Sequence, residues 1–222
     1  TGIDVYTHSN LRQLIEHLQG KIKLQPLPKE NILQNLDRAY DADFADVKGQ
    51  PVARRALEIA AAGGHSILMM GAPGCGKTML ARRLVTILPP VTEAEALEIT
   101  KIYSIVNMLP ETESVMIERP FRSPHHSVSA SALLGGGTYP MPGEVTLRHN
   151  GVLFLDELPE FERYTLEMLR QPLEDGEVHI SRVRGTMNYP ARFLLIAAGN
   201  PCPCGYLGDK FRRCTCKQKD VE

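Results

Sequence analysis

Gly71, Ala72, Pro73, Gly74, Cys75, Gly76, Lys77, Thr78 and Met79 place three glycines, a lysine and a hydroxyl within nine residues. Glycines let consecutive backbone N–H groups turn inward on phosphate oxygens. The Lys77 ammonium would reach β- and γ-phosphates, and the Thr78 hydroxyl is a ligand for Mg²⁺. The spacing matches G-x-x-x-x-G-K-[ST]; the competing reading is a Gly-rich turn without a ligand, and context decides between them. Upstream, HSILMM (65–70) reads as a short buried parallel strand. Downstream, KTMLARRLVTIL sets Leu80, Leu84, Ile87 and Leu88 at helical spacing until Pro89 and Pro90 end the helix. The loop therefore joins a strand to a helix N-terminus, where unpaired amides and the helix dipole favour anions. Residues 71–79 are accordingly assigned to nucleotide binding.

A phosphate cradle needs a partner that handles metal and water. Val152 to Leu155 are uniformly apolar, as in a strand covered on both faces, and end on Asp156 and Glu157. Paired with Lys77 and Thr78, Asp156 is expected to hold Mg²⁺ through water, and Glu157 to orient or deprotonate the attacking water. A further apolar strand, FLLIAAGN, ends on Asn200, which would hold the same water or the γ-phosphate; a turn cap before Pro201 is the alternative. The catalytic set is thus Lys77, Asp156, Glu157 and Asn200, with Mg²⁺ on Thr78 and Asp156.

The elements that must position these groups can be read in outline. SNLRQLIEHLQG forms a short amphipathic helix with Leu11, Leu14, Ile15 and Leu18 on one face and Gly20 at its end, followed by an extended Pro-containing connector. Such a helix cannot hold itself together and is expected to belong to a domain preceding residue 1. Residues 52–62 form a helix closed by Gly63 and Gly64. Thr92 and Glu95 form a capping-box pair opening a helix with Ile99, Ile102, Tyr103 and Val106 on one face. Residues 118–151, rich in Gly, Pro, Ser and His, resemble no regular element for most of their length, and a loop this long suggests function. RYTLEMLRQPLEDG reads as one helix and EVHISRVRGTMNYPAR as a β-hairpin turning near Gly185. Strands alternating with helices imply a mostly parallel α/β sheet with ligands at the strand carboxyl ends.

With 222 residues and 43% hydrophobic content the chain can bury a full core, and its net charge of −1 gives no global pull toward nucleic acid or anionic membrane. No apolar run approaches the roughly 20 residues needed to span a bilayer, and no basic-then-apolar signal opens the chain, so a cytoplasmic location is expected. In a reducing compartment Cys202, Cys204, Cys214 and Cys216 are better read as a metal site than as disulfides, and four thiolates suit a closed Zn²⁺ site. Free thiols, an iron–sulfur cluster or a disulfide stay open, because Cys-x-Cys is tighter than the usual spacing. Cys75 reads as a small filler. His125 and His126, adjacent in a Ser-rich stretch and lacking partners at ligand spacing, read as loop residues. Basic residues gather on the hairpin (His179, Arg182, Arg184) and around the cysteines (Lys210, Arg212, Arg213, Lys217, Lys219). A solvated face is the bland reading of both.

GAPGCGKT (71–78), GVLFLDE (151–157) and the strand ending at Asn200 resemble the Walker A, Walker B and sensor 1 elements of AAA+ ATPases. ALEIAAAGGH, MLARRLVTILPP, ERPFRSPHH, LLGGG, PGEVTLRHNGVLFLDELPEF, LRQPLEDGEVHISR and NPCPCG resemble one branch of that group, the magnesium-chelatase-like ComM/YifB family, over residues 44–217. The resemblance implies an AAA+ P-loop α/β core (44–222) with a mostly parallel five-stranded sheet flanked by helices. It also implies a helix-2 insert at 121–151, a hairpin at 177–191 ahead of sensor 1, and the cysteine cluster at 200–217. Residues 1–43 resemble the tail of a Lon-protease-like domain and its linker.

The implied activity is Mg²⁺-dependent ATP hydrolysis by a ring, usually a homo-hexamer. Members of the branch are implicated in DNA processing, including branch migration of recombination intermediates during natural transformation, so the resemblance implies a ring that remodels DNA. Each hairpin cation would then be repeated around a pore, so Arg182 and Arg184 are candidate DNA contacts on single-stranded or branched DNA. The family's chain continues into a helical lid carrying its arginine finger and sensor 2. Because such a finger is worth about 10³–10⁵ in rate, the 222-residue fragment is expected to hydrolyse ATP slowly. Three alternatives remain: a chelatase motor driving metal insertion, disfavoured by the Cys-x-Cys pairs; the ATPase part of a Lon-like protease, for which residues 1–30 offer no Ser/Lys pair; and a non-hydrolysing nucleotide-gated module, against which Glu157 argues.

Overall fold

The computed structural model describes residues 3–27, 42–110, 115–137, 140–182, 185–209 and 211–221. The chain divides into two units, Thr1–Leu36 and Asp37–Glu222. In the first, α1 (Leu11–Leu18) starts where the Asn10 side chain accepts the Gln13 N–H and stops before Gly20, whose φ of +71° ends the helix. Its apolar face is uncovered within the unit, with Leu11 68% and Leu18 76% exposed.

The second unit alternates helices and strands. α2 (Pro51–Gly63) begins on a proline and ends at Gly64 in the left-handed region. β1 (Ile67–Met70) leads through the Gly-rich loop into α3 (Lys77–Leu84). α4 (Glu93–Ile105) opens on the expected capping box: the Thr92 hydroxyl accepts the Glu95 N–H at 3.3 Å, and Glu95 Oε2 accepts the Thr92 N–H at 2.7 Å.

The stretch read as largely irregular contains β2 (Phe121–Arg122), α5 (Ala130–Leu134) and an antiparallel pair, β3 (Gly135–Gly136) with β4 (Met141–Pro142). Its order rests on close backbone approach, since a Cβ at Gly135 would overlap Met141 O and Gly143 N. β5 (Gly151–Leu155) follows, then α6 (Arg163–Glu167) and α7 (Arg170–Asp175) where one helix was expected. Pro172 explains the break. It has no N–H to donate back to Met168, so the chain restarts a helix in which Pro172 occupies the first turn, where amides are unpaired anyway. β6 (Glu177–Arg182) and β7 (Gly185–Pro190) form the hairpin, and β8 (Phe193–Gly199) completes the set.

The central sheet is parallel with order β1-β8-β5-β2. It has four strands among the described residues rather than the five expected. After β8 the chain passes through Pro201 and Pro203 and left-handed glycines 205 and 208 (φ +81° and +77°), which cannot continue a ladder. β1 also departs from the expectation of full burial: it is an edge strand, with Leu68 and Met70 55% and 54% exposed. β5 is buried throughout and alternates between two cores. Val152 and Phe154 pack with Leu57, Leu80 and Leu84 under α2 and α3, whereas Leu153 and Leu155 pack with Leu133, Val178 and Tyr189 from α5 and the hairpin.

Beside the second core lies an ionic triad built around one fully buried charge, Arg148. Arg148 is fully buried and donates to both the carbonyl and the carboxylate of Glu144. Arg122 of β2 donates to both Glu144 carboxylate oxygens, at 3.2 and 3.0 Å. Glu144 thus fastens the stretch after β4 to the edge of the sheet.

Candidate functional site

Because β1, β8 and β5 run parallel, their carboxyl ends open on one edge, and register decides which residues meet there. Met70 pairs with Gly199, so the loop that begins at Gly71 lies beside Asn200, and Gly71 N–H donates to Gly199 O at 3.2 Å. Leu155 pairs with Ala197, which sets Asp156 and Glu157 on the other side of β8.

Lys77 Nζ donates to Gly71 O (2.7 Å), Ala72 O (3.1 Å) and Asn200 Oδ1 (3.1 Å), using all three ammonium hydrogens to span the loop mouth. Thr78 Oγ1 donates to Asp156 Oδ2 at 2.7 Å, and Asp156 Oδ1 accepts the Glu157 N–H at 3.0 Å. Gly76, at φ +92°, caps α3 in a conformation that L side chains rarely adopt. Gln50 braces the loop from outside, its Nε2 donating to Cys75 O at 3.0 Å. Cys75 is exposed and free, its sulfur folded toward Gly71. A cleft of ≈ 370 Å³ separates the loop from Asp156, Glu157 and Asn200.

Glu157 is a non-glycine residue in the left-handed region, at φ +54°, with its side chain exposed. Its Oε2 lies 3.3 Å from His126 Nδ1, and His126 packs edge-on against Phe161. His126, read from sequence as a loop residue, is therefore part of the site. The reason is register: β2 pairs with β5 as Phe121↔Val152 and Arg122↔Leu153, and carrying that offset five residues beyond Phe121 brings His126 opposite Glu157. No local pattern signals this, because it depends on which strand lies beside β5. A second cavity of ≈ 460 Å³ shares Glu157 and Asn200 and extends past His126 and Pro159 to Cys202.

The four clustered cysteines converge. Cys202, Cys204 and Cys214 have Sγ–Sγ distances of 3.4, 3.7 and 3.6 Å, the Cys204 N–H donates to Cys216 Sγ, and all four sulfurs lie within 4.8 Å of one another. Backbone N–H groups of Thr215 and Tyr206 hold the Cys204 thiol down to about 6. Although the Cys204 N–H favours its thiolate, desolvation and the neighbouring thiols push Cys216 up to about 12. On the hairpin, Val178 and Ile180 are buried while His179 and Ser181 face outward. Arg182 is paired with Gly185 by its backbone. Arg184 lies outside the described residues.

A Gly-rich strand-to-helix loop whose lysine reaches the end of the neighbouring strand, facing an acidic pair on the strand beyond it, defines an α/β P-loop protein of the AAA+ ATPase class. The family model described as magnesium chelatase, subunit ChlI, matches residues 43–222. The chain belongs to the ComM/YifB family of magnesium-chelatase-like AAA+ proteins. It is 51% identical over 213 residues to the uncharacterized protein YifB of Escherichia coli, covering 94% of this chain and 40% of that protein. Competence protein ComM of Haemophilus influenzae is 49% identical over 206 residues, covering 91% of this chain. The chain thus spans 40% of the length of each of these relatives. The complex between subunits BchI and BchD of magnesium chelatase aligns at 25% identity with a TM-score of 0.49, covering 67% of this chain and 51% of that one. No helix among the described residues is long and apolar enough to cross a membrane.

Proposed function

We propose that this chain is the ATP-hydrolysing core of a ring-forming motor that remodels DNA. The observation that carries the reading is the convergence of Lys77, Thr78, Asp156 and Asn200, with Thr78 Oγ1 and Asp156 Oδ2 2.7 Å apart and Lys77 Nζ 3.1 Å from Asn200. Lys77 and the first-turn amides of α3 bind the phosphates. The Thr78 hydroxyl and the Asp156 carboxylate are hard oxygen donors brought together at the loop mouth, so they fit Mg²⁺, Thr78 as a direct ligand and Asp156 through water. Bound there, Mg²⁺ would offset phosphate charge. Glu157 accepts the proton of a water as its oxygen bonds to the γ-phosphorus; the bond to the β-phosphate oxygen breaks, and ADP and phosphate leave. Asn200 orients the γ-phosphate or that water.

His126 draws one Glu157 oxygen sideways. His126→Ala is therefore expected to raise basal hydrolysis by about 1.5–5-fold, the scale of a solvent-exposed ion pair of about 0.2–1 kcal/mol. A phosphate-release assay that finds a lower rate would instead make His126 an aid to Glu157.

The likeness to a competence protein supports DNA as the partner, and the hairpin cations Arg182 and Arg184 are proposed to track phosphates around a hexameric pore. The family-model description favours a second reading, a motor for metal insertion. ATPase assays with single-stranded or branched DNA separate them. Stimulation by DNA supports the first, stimulation by unfolded protein would point to a protease motor, and neither would leave the chelatase reading or a nucleotide-gated module.

The cysteines are proposed to hold structural Zn²⁺. A tetrahedron with Zn–S bonds of about 2.3 Å has sulfur–sulfur edges of about 3.8 Å, near those found, whereas a disulfide needs about 2.05 Å. Protein purified without chelator should carry about one zinc per chain, and loading should release protons as the thiols become thiolate ligands. Less than half an equivalent by elemental analysis would overturn the site.

A further inference from the structure

Phe211 is 96% exposed, the most exposed large hydrophobic side chain among the described residues. Its placement is built rather than incidental. Asp209 Oδ1 accepts the N–H groups of both Phe211 and Arg212 at 2.7 Å, fixing a turn that directs the ring outward, and Cys214 anchors the chain two residues later. A phenyl ring held in water forfeits hydrophobic stabilisation that any covered position would provide.

The surroundings are cationic although the chain is not. Residues 205–222 hold five Lys or Arg against three Asp or Glu, a local surplus of two positive charges, while the whole chain carries a net −1. Arg213, Lys217 and Lys219 are exposed. Arg212 is held in place: its Nη1 donates to Tyr206 Oη at 2.6 Å, and its guanidinium carbon lies 5.1 Å from the centre of that ring.

An exposed ring among cations, carried on a turn clamped at both ends, matches the two demands of single-stranded nucleic acid: a platform for a base and charges for the phosphates between bases. A duplex presents its bases already stacked, so a lone ring on a turn gains little from one. An apolar protein partner would leave the cations unpaired. We infer that the cysteine-anchored turn at 205–219 is a single-stranded nucleic-acid contact in which Phe211 stacks on a base and Arg212, Arg213, Lys217 and Lys219 bind the flanking phosphates. The inference rests on the nucleic-acid partner proposed above but uses side chains other than those of the hairpin and of the ATP cleft.

The chain contains no tryptophan, so Phe211→Trp introduces a single reporter. With an oligo-dT strand and a hairpin duplex of equal length, Phe211→Ala is expected to weaken dT binding by about 5- to 100-fold and to leave duplex binding unchanged. Its salt dependence should match the parent's. Arg212→Ala with Arg213→Ala should instead flatten the salt slope by about 1.4, at about 0.7 per phosphate contact. Phe211→Trp should keep affinity, and its emission should be quenched at dT saturation.

Parent-like dT binding by Phe211→Ala, or unquenched Phe211→Trp emission at saturation, overturns the contact while leaving the DNA-remodelling reading intact. A parent that binds no nucleic acid overturns both. If Phe211→Ala alters sedimentation but not dT affinity, the ring is a contact between copies, which also overturns the inference.

Discussion

Glu157→Gln is expected to keep its affinity for ATP while kcat falls by about 10²–10⁴, the range contributed by a positioned general base. An amide preserves the shape of the side chain and its reach toward His126, 3.3 Å away, but it cannot take up a proton from water. The backbone supports this division of labour. Glu157 occupies the left-handed region at φ +54°, where a non-glycine residue is strained, and its N–H is held by Asp156 Oδ1 at 3.0 Å. Lys77→Ala should behave in the opposite way, losing nucleotide affinity first, because its ammonium faces the loop carbonyls and Asn200 rather than a site for water. Equilibrium binding of a fluorescent ATP analogue, run beside single-turnover phosphate release, separates the two. Hydrolysis by Glu157→Gln within threefold of the parent rate would remove Glu157 from the chemistry.

Glu144→Ala is expected to cost about 3 kcal/mol of stability, the lower end for breaking a buried ion pair, because Glu144 itself keeps 23% exposure. The cost arises from Arg148, fully buried, which would lose its carboxylate while staying charged even though burial pushes its guanidinium down to about 10. Urea unfolding should show a lower midpoint at unchanged slope. The pH dependence carries a sign. Burial alone would raise the Glu144 carboxyl, but hydrogen bonds from Arg122 and the charge of Arg148 outweigh it and hold the group below its ordinary range. The contribution is therefore fully present above the ordinary glutamate value of about 4.3 and is lost as pH falls through the lower folded value. The alanine variant should lack that part of the acid limb. A stability within about 0.5 kcal/mol of the parent, a change typical of an uninvolved surface position, would show that the triad does not fasten the stretch after β4 to the sheet.

Features governed by neighbours in sequence were legible without coordinates. The phosphate loop is announced by glycines at fixed offsets ahead of a lysine, and the capping box by Thr92 and Glu95 three residues apart. The hairpin follows from two extended runs meeting near Gly185. Buried β5 follows from an unbroken apolar run ending in two carboxylates. The cysteines were legible as a cluster, but not as four sulfurs within 4.8 Å, since nine residues separate the two pairs.

What the amino-acid order determined by itself was the inventory of local elements and the chemical kinds of groups at their ends, because helix periodicity, capping and turn preference act over three or four residues. Tertiary structure alone decided who meets whom. The order β1-β8-β5-β2 puts Asn200 on Lys77 and His126 on Glu157, and the same order exposes one face of β1 and lets Glu144 clamp the stretch after β4 to the edge strand. Those pairings join residues 22 to 123 positions apart. Strand adjacency and register, set by burial across the whole sheet, choose among the many partners that local rules leave equally available.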